Sequence, residues 1–234
     1  MAIFVLVHGA FHGGWCYSRV ASRLRSHGHD VYTPTLSGVG ERAHLAVQAI
    51  NLSTHIQDVV ATITTYDLDD VILCGHSYAG MVITGVAGQV GERIRTLFYL
   101  DAALPEDGQS LFEIAGPEKT IGVLGLASET GLMIAPFGAA HFGVNADDIA
   151  WVDRMCTPHP LATFTQKLRF TGKEALVKRH TYVLCERYVS VNHAAYARVK
   201  NLPGWKSVSL DCTHSLMIDE PDIFSALLLE ELQR

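Results

Sequence analysis

The 234-residue chain has no long hydrophobic run, no block of like charge and no closely spaced cysteine pair. No apolar stretch reaches the ~18 residues of a membrane-spanning helix. The first strand-like run, IFVLVHG, starts at Ile3 with no basic segment and no hydrophobic stretch ahead of it to act as an export signal. A cytoplasmic location without a membrane partner is therefore expected. The five cysteines (Cys16, Cys74, Cys156, Cys185, Cys212) are odd in number and form no CxxC, which argues against a disulfide framework and reads as free thiols in a reducing compartment. The net charge of -6 is spread along the chain, so a polyanionic partner such as nucleic acid is not expected. No HExxH or comparable spacing suggests a metal, and the glycine-containing stretches HGAFHGGW and SGVGERA both fail the GxGxxG fingerprint of dinucleotide binding. Neither metal nor cofactor is expected. What remains is a small-molecule substrate and, at most, a second copy of the chain in a homodimer.

What is present is an alternation of short β-branched runs with helical patterns, the signature of βαβ units and a mostly parallel sheet in an α/β fold. Strands are expected at Ile3–Val7, Asp30–Thr33, Val71–Cys74, Thr96–Leu100, Thr181–Cys185 and Ser207–Leu210. Helices are expected near Trp15–His27, Ser53–Tyr66, Tyr78–Val90, His193–Asn201 and Pro221–Gln233, with Ser53 and Asp219 as N-terminal caps or near-caps of two of them. From 104 to 178 the rhythm breaks into glycine, proline and short apolar clusters. This segment is expected to be a lid inserted into a core made of 1–103 and 179–234, lying over the carboxyl edge of the sheet where such folds bind ligands.

Within VILCGHSYAG, Ser77 follows an apolar strand and precedes YAGMVITGVAGQV, where Met81, Val82, Val86 and Val90 fit one helical face. Strand, tight turn and helix around a serine make the context of a nucleophile elbow, with Ala79 standing where glycine is commoner. A serine hydroxyl needs a base. His214, in DCTHSLMIDEP beyond the last strand, is the best placed of twelve histidines; His76 is expected to point away and His8 and His12 to belong to another loop. An oxyanion needs preorganised N–H donors. The amide of Tyr78 at the helix start and that of Ala10 in the first loop are the candidates.

These stretches together resemble the small α/β-hydrolases that include plant methylesterases and hydroxynitrile lyases, and more closely bacterial esterases that cleave carbamates and pyrethroids. FVLVHGAFHGGWCY, VILCGHSYAGM, LFYLDAALPEDGQSL and HSLMIDEP carry the resemblance across nearly the whole chain. It implies an α/β-hydrolase fold with Ser77 as nucleophile, His214 as base and the Ala10 and Tyr78 amides as oxyanion hole. Lyases of this type carry threonine after the first-loop histidine and lysine after the catalytic histidine; here stand Gly9 and Ser215, which points to hydrolysis.

The acid departs from the pattern. The family's usual aspartate position, past the strand in TYVLCERYVSVN, aligns with Tyr188, and a neutral phenol cannot balance an imidazolium. Glu186 is the first replacement, since it lies in the same loop, 28 residues before His214 as the family's acid does. Asp101, just past the preceding strand, is the second. Phe11, Cys16, Phe112, Phe137 and Phe142 are expected to line an apolar substrate pocket, with Met133 a further candidate and Cys212 bordering the site. The expected activity is serine-based cleavage of an ester, carbamate or amide of a small apolar or aromatic molecule. The competing readings are a ligand-binding receptor on a hydrolase scaffold, motivated by the absent aspartate, and a lyase.

Overall fold

The computed structural model describes residues 1–45 and 47–234. The β-branched and aromatic runs form strands β1 (Ile3–Val7), β2 (Asp30–Tyr32), β3 (Val71–His76), β4 (Ile94–Leu100), β5 (Met133–Ile134), β6 (His159–Pro160), β7 (Arg179–Cys185) and β8 (Trp205–Leu210). Six of them make one sheet in the order β2-β1-β3-β4-β7-β8, every neighbouring pair parallel, while β5 and β6 pair antiparallel outside it. All six expected strands are present with small shifts at their ends. The inner strand β3 is buried at every position, as a sheet covered on both faces requires.

Helices α1 (Ser18–Ser26), α2 (Leu52–Thr65), α3 (Ala79–Val90), α4 (Leu111–Ala115), α5 (Pro117–Leu124), α6 (Ala146–Met155), α7 (Ala162–Thr165), α8 (Asn192–Val199), α9 (Leu216–Asp219) and α10 (Pro221–Glu230) flank the sheet and fill the insertion. α1 packs on α10 and α2 on α3. α3 was expected to show one apolar face, yet every residue but Gln89 is buried, because the helix is enclosed between the sheet and α2. Among the described residues no helix is long and apolar enough to cross a membrane.

Ser53 and Asp219 stand near the helix starts without being the caps, which are Asn51 and Glu220. α2 begins after Asn51, whose Oδ1 accepts the Thr54 amide (3.1 Å) while Thr54 Oγ1 accepts the Asn51 amide (3.3 Å), a reciprocal cap starting two residues before Ser53. Asp219 does not cap α10. Its carboxylate accepts the Asn145 amide (3.0 Å) and the Thr213 hydroxyl, and Glu220 precedes the helix. Residues 104–178 supply α4 to α7 and the β5–β6 pair, and α4 and α5 bury no residue.

A parallel sheet puts the carboxyl ends of its strands on one rim. The order β2-β1-β3-β4 reverses direction between β1 and β3, and a crevice opens where their following loops part. Ala10 and Phe11 leave β1 on this rim, Ser77 leaves β3, Asp101 leaves β4, Glu186 to Tyr188 leave β7 and His214 follows β8.

Candidate active site

β3 ends and the chain reverses so sharply that Ser77 takes φ 55°. Its amide donates to Leu100 O (3.2 Å), and its carbonyl accepts the amides of Gly80 (3.2 Å) and Ala103 (2.9 Å). With both backbone groups tied down, the turn has no slack. A β-carbon added at Gly80 would sit 1.9 Å from Ala103 O, so nothing larger than glycine fits. Phe11 (φ 68°) and Asp101 (φ 41°) are also left-handed, and the three strained residues share the rim. Such conformations cost roughly 1–3 kcal/mol each and persist where the surroundings over-determine them.

The carboxylate that meets His214 is Asp101: its Oδ2 lies 2.5 Å from His214 Nδ1, and both side chains are buried. Glu186, the first choice from the sequence, is on the surface, where it accepts the Ser209 hydroxyl at 2.5 Å. It sits just beyond the end of β7 beside the edge strand β8, and the spacing to His214 carries no information about which way its side chain faces. Asp101 is held from several sides. Its amide donates to Val183 O (2.7 Å), its carbonyl accepts Asn192 Nδ2 (2.6 Å), and its Oδ1 accepts the Cys185 amide at 3.4 Å. Burial disfavours the charged form of each partner, pushing the Asp101 carboxyl up from its ordinary range and the His214 imidazole down.

Three aromatic rings enclose His214: Tyr188 stacks on it (4.2 Å, 26°), His76 tilts against it (4.4 Å, 45°) and Phe142 covers it at 5.7 Å. Tyr188, at the family's usual acid position, thus supplies a face rather than a charge. His76 does not point away. Its Nε2–H donates to the carbonyl of His214 (2.9 Å), which leaves Nδ1 an unpartnered buried acceptor. His8 and His12 are buried at the same rim. His8 Nε2 accepts the Leu36 amide (3.0 Å), so its Nδ1–H donates to Gly9 O (2.8 Å), and His12 Nδ1–H donates to Ala10 O (2.8 Å).

Ser77, His214, Ala10 and Tyr78 line one cavity of about 160 Å³. Among the described residues, the amides of Ala10 and Tyr78 have no hydrogen-bond acceptor, whereas the neighbouring Phe11 amide is used by His159 Nδ1 at 3.2 Å. Both residues with free amides and the serine line the same cavity. A β-carbon at Gly9 would lie 2.8 Å from His76 Nδ1 and 3.0 Å from Ser77 Cβ, so the threonine of the lyases would crowd the serine. Ser215 is buried with its hydroxyl unpartnered and offers no charge where the lyases have lysine.

The walls include Phe11, Phe137 and Phe142, as expected, together with Phe164 and Leu111, which the sequence did not single out, and Tyr188, which it singled out only for the acid position. Two expected wall residues are elsewhere. Cys16 is buried in the core beneath the first loop, and Phe112 stands behind the wall with its ring 5.8 Å from Phe164. Met133 and Cys212 do not line the cavity either. The added wall residues lie in the irregular insertion or in the loop after β7, where no periodicity announces which side chains turn inward.

A model of the alpha/beta hydrolase family matches residues 4–227. The chain is 45% identical over 233 residues to a carbendazim hydrolyzing esterase of Nocardioides sp. (strain SG-4G), covering 95% of this chain and 96% of that one. A pyrethroid hydrolase of Sphingobium wenxiniae is 34% identical over 106 residues, 44% of this chain and 37% of that protein. Among solved structures, an extracellular alpha/beta-hydrolase from a Paenibacillus species superposes with TM-score 0.84 at 24% identity over 99% of both chains. On the fold, the elbow and these similarities, the chain belongs to the alpha/beta hydrolase family, as a hydrolase of the esterase type.

Proposed function

We propose that the chain is a serine hydrolase that cleaves a carboxyl ester, carbamate or amide bond of a small apolar or aromatic substrate, using Ser77, His214 and Asp101 and no cofactor. The observation that carries the proposal is the 2.5 Å contact between His214 Nδ1 and Asp101 Oδ2, beside a serine on a strained elbow in the same cavity. Ser77 Oγ attacks the carbonyl carbon while His214 Nε2 takes its proton, and the carbonyl oxygen becomes an oxyanion facing the free amides of Ala10 and Tyr78. The carbon–oxygen or carbon–nitrogen bond to the leaving group then breaks, and His214 returns the proton to that group. Water, deprotonated by the same histidine, attacks the acyl-enzyme and restores Ser77. Each oxyanion donor is worth about 10²–10³ in rate.

The aromatic walls favour a flat or apolar group, and the 104–178 segment acts as the lid that excludes water. Carbamate cleavage is the first substrate class to examine, given the activity named for the Nocardioides relative. The receptor reading loses its motive, since a buried carboxylate does face His214. The lyase reading is disfavoured by Gly9 and Ser215.

The test is a panel of aryl esters, methyl esters and methyl carbamates. Turnover of at least one is expected, and Ser77→Ala should lower kcat by about 10⁴–10⁶. An alanine variant with full activity would contradict the proposal.

A further inference from the structure

The chain carries a net charge of -6, yet among the described residues no aspartate or glutamate lines its reactive cavity. Asp101 is concealed behind His214 with no exposed surface. The cavity lining does include one side chain of fixed charge, Lys119, on the exposed helix α5. Among the described residues Lys119 has no carboxylate within 4.0 Å and no hydrogen-bond partner for its ammonium. Three other cations of the same segment are paired, Lys167 with Glu113 (2.5 Å), Lys173 with Glu92 (3.8 Å) and Arg169 with Asp107 (4.0 Å), and neither Arg154 nor Lys178 lines the cavity.

The remainder of the lining is mostly aromatic or aliphatic, so the ammonium at its edge, although open to water on its outer side, projects its field into a space of low polarity. A ligand bearing a negative charge would meet attraction from Lys119 and repulsion from no lining carboxylate. Its apolar portion would still be covered by Phe137, Phe142 and Phe164.

We infer that Lys119 is a specificity-determining residue for substrates that carry a carboxylate in addition to the scissile bond, such as the ester of a hydroxybenzoate. The inference rests on the hydrolase reading above and narrows its substrate class. Lys119 binds the distal carboxylate as the substrate enters beneath α5, with the scissile carbonyl directed toward Ser77. It takes no part in bond breaking. An exposed ion pair gives up to about fivefold in affinity, and apolar walls raise that.

The experiment compares 4-acetoxybenzoate with 4-acetoxybenzamide, two aryl acetates of nearly equal shape that differ in charge. The ratio of their kcat/KM values is measured for the unaltered chain, Lys119→Met and Lys119→Glu, at low and at high salt. The ratio should fall about five- to tenfold in Lys119→Met and further in Lys119→Glu. High salt should bring the unaltered chain toward the methionine variant. A ratio equal within about twofold in all three proteins would overturn the inference and leave the hydrolase reading intact. Absence of turnover of both esters by the unaltered chain would count against the hydrolase reading instead. The Lys119 inference is then decided by calorimetric titration of Ser77→Ala with the same two compounds. Tighter binding of the carboxylate that disappears when Lys119→Met is added supports it, and equal binding overturns it.

Discussion

A carboxylate without exposed surface must find a proton or a partner, and Asp101 finds His214. The sequence contained that signal: Asp101 interrupts an apolar stretch, with Leu100 before it and Ala102 and Ala103 after, whereas Glu186 stands beside Arg187 in a polar turn. Reading burial from the flanking residues would have ranked Asp101 above Glu186. Reading the spacing to His214 ranked them the other way. The pair also makes a pH prediction. As pH falls it takes up one proton, which disables the base and gives kcat/KM an acid limb. Asp101→Asn removes the counter-charge of the imidazolium while burial still penalises it. The residual acid limb should therefore move to lower pH, by about one unit or more, in a pH–rate profile compared with the unaltered enzyme. An acid limb that stays in place or moves up would show that Asp101 does not stabilise the protonated histidine.

At the level of elements, the strands and most helices were legible because their periodicities reflect burial in a covered parallel sheet, and Ser77 was legible because strand, turn and helix must meet at it. The irregular segment 104–178 was not. Its helices α4 and α5 have no fully buried residue and only a partly buried apolar side (Leu111, Phe112, Ile114, Val123), and α7 spans four residues, too few to show a period, so the contributions of Phe164 and Lys119 to the cavity could not be foreseen. The Ser77 turn yields a packing prediction. Gly80→Ala drives a methyl group into Ala103 O, and moving that carbonyl disturbs its neighbours Asp101 and Ala102; the cost should be about 3 kcal/mol, lowering Tm by about 6–12 °C. Asn51→Ala, which removes only the α2 cap, should cost about 1 kcal/mol and leave activity near its original level. Thermal denaturation of both variants checks the ranking, and a Gly80→Ala protein as stable as Asn51→Ala would contradict the turn geometry.

At the level of the whole molecule, six histidines are buried: His8, His12, His55, His76, His159 and His214. Burial lowers all of them, His8 to about 3 and His55 to about 4. His8, His12, His55, His76 and His159, which hydrogen-bond no carboxylate, resist protonation in the folded chain, while the unfolded chain takes up a proton at each below about pH 6.5. Their contribution to stability is therefore complete above that pH and is lost as pH falls, by up to ~1.4 kcal/mol per pH unit for each group. The His214–Asp101 pair takes up its proton as a unit and stands outside this balance, which leaves five groups acting in the same sense. Against a total stability of about 5–15 kcal/mol, the fold should fail near pH 4–5. Circular dichroism across pH should show this loss, and a chain fully folded at pH 4 would contradict the neutral-histidine core. Assays after return to neutral pH separate this unfolding from the acid limb of catalysis.

The most direct test of the Ser77–His214–Asp101 assignment is the rate and site of labelling by a serine-reactive phosphonate, followed by mass spectrometry and peptide mapping. One label per chain on Ser77 is the expected result. Its rate should be little changed in Glu186→Gln and reduced by orders of magnitude in Asp101→Asn, since misorienting the base costs about 10⁴ in kcat in the best-studied serine triad. A label on another residue, or a slow Glu186→Gln beside a fast Asp101→Asn, would contradict the account.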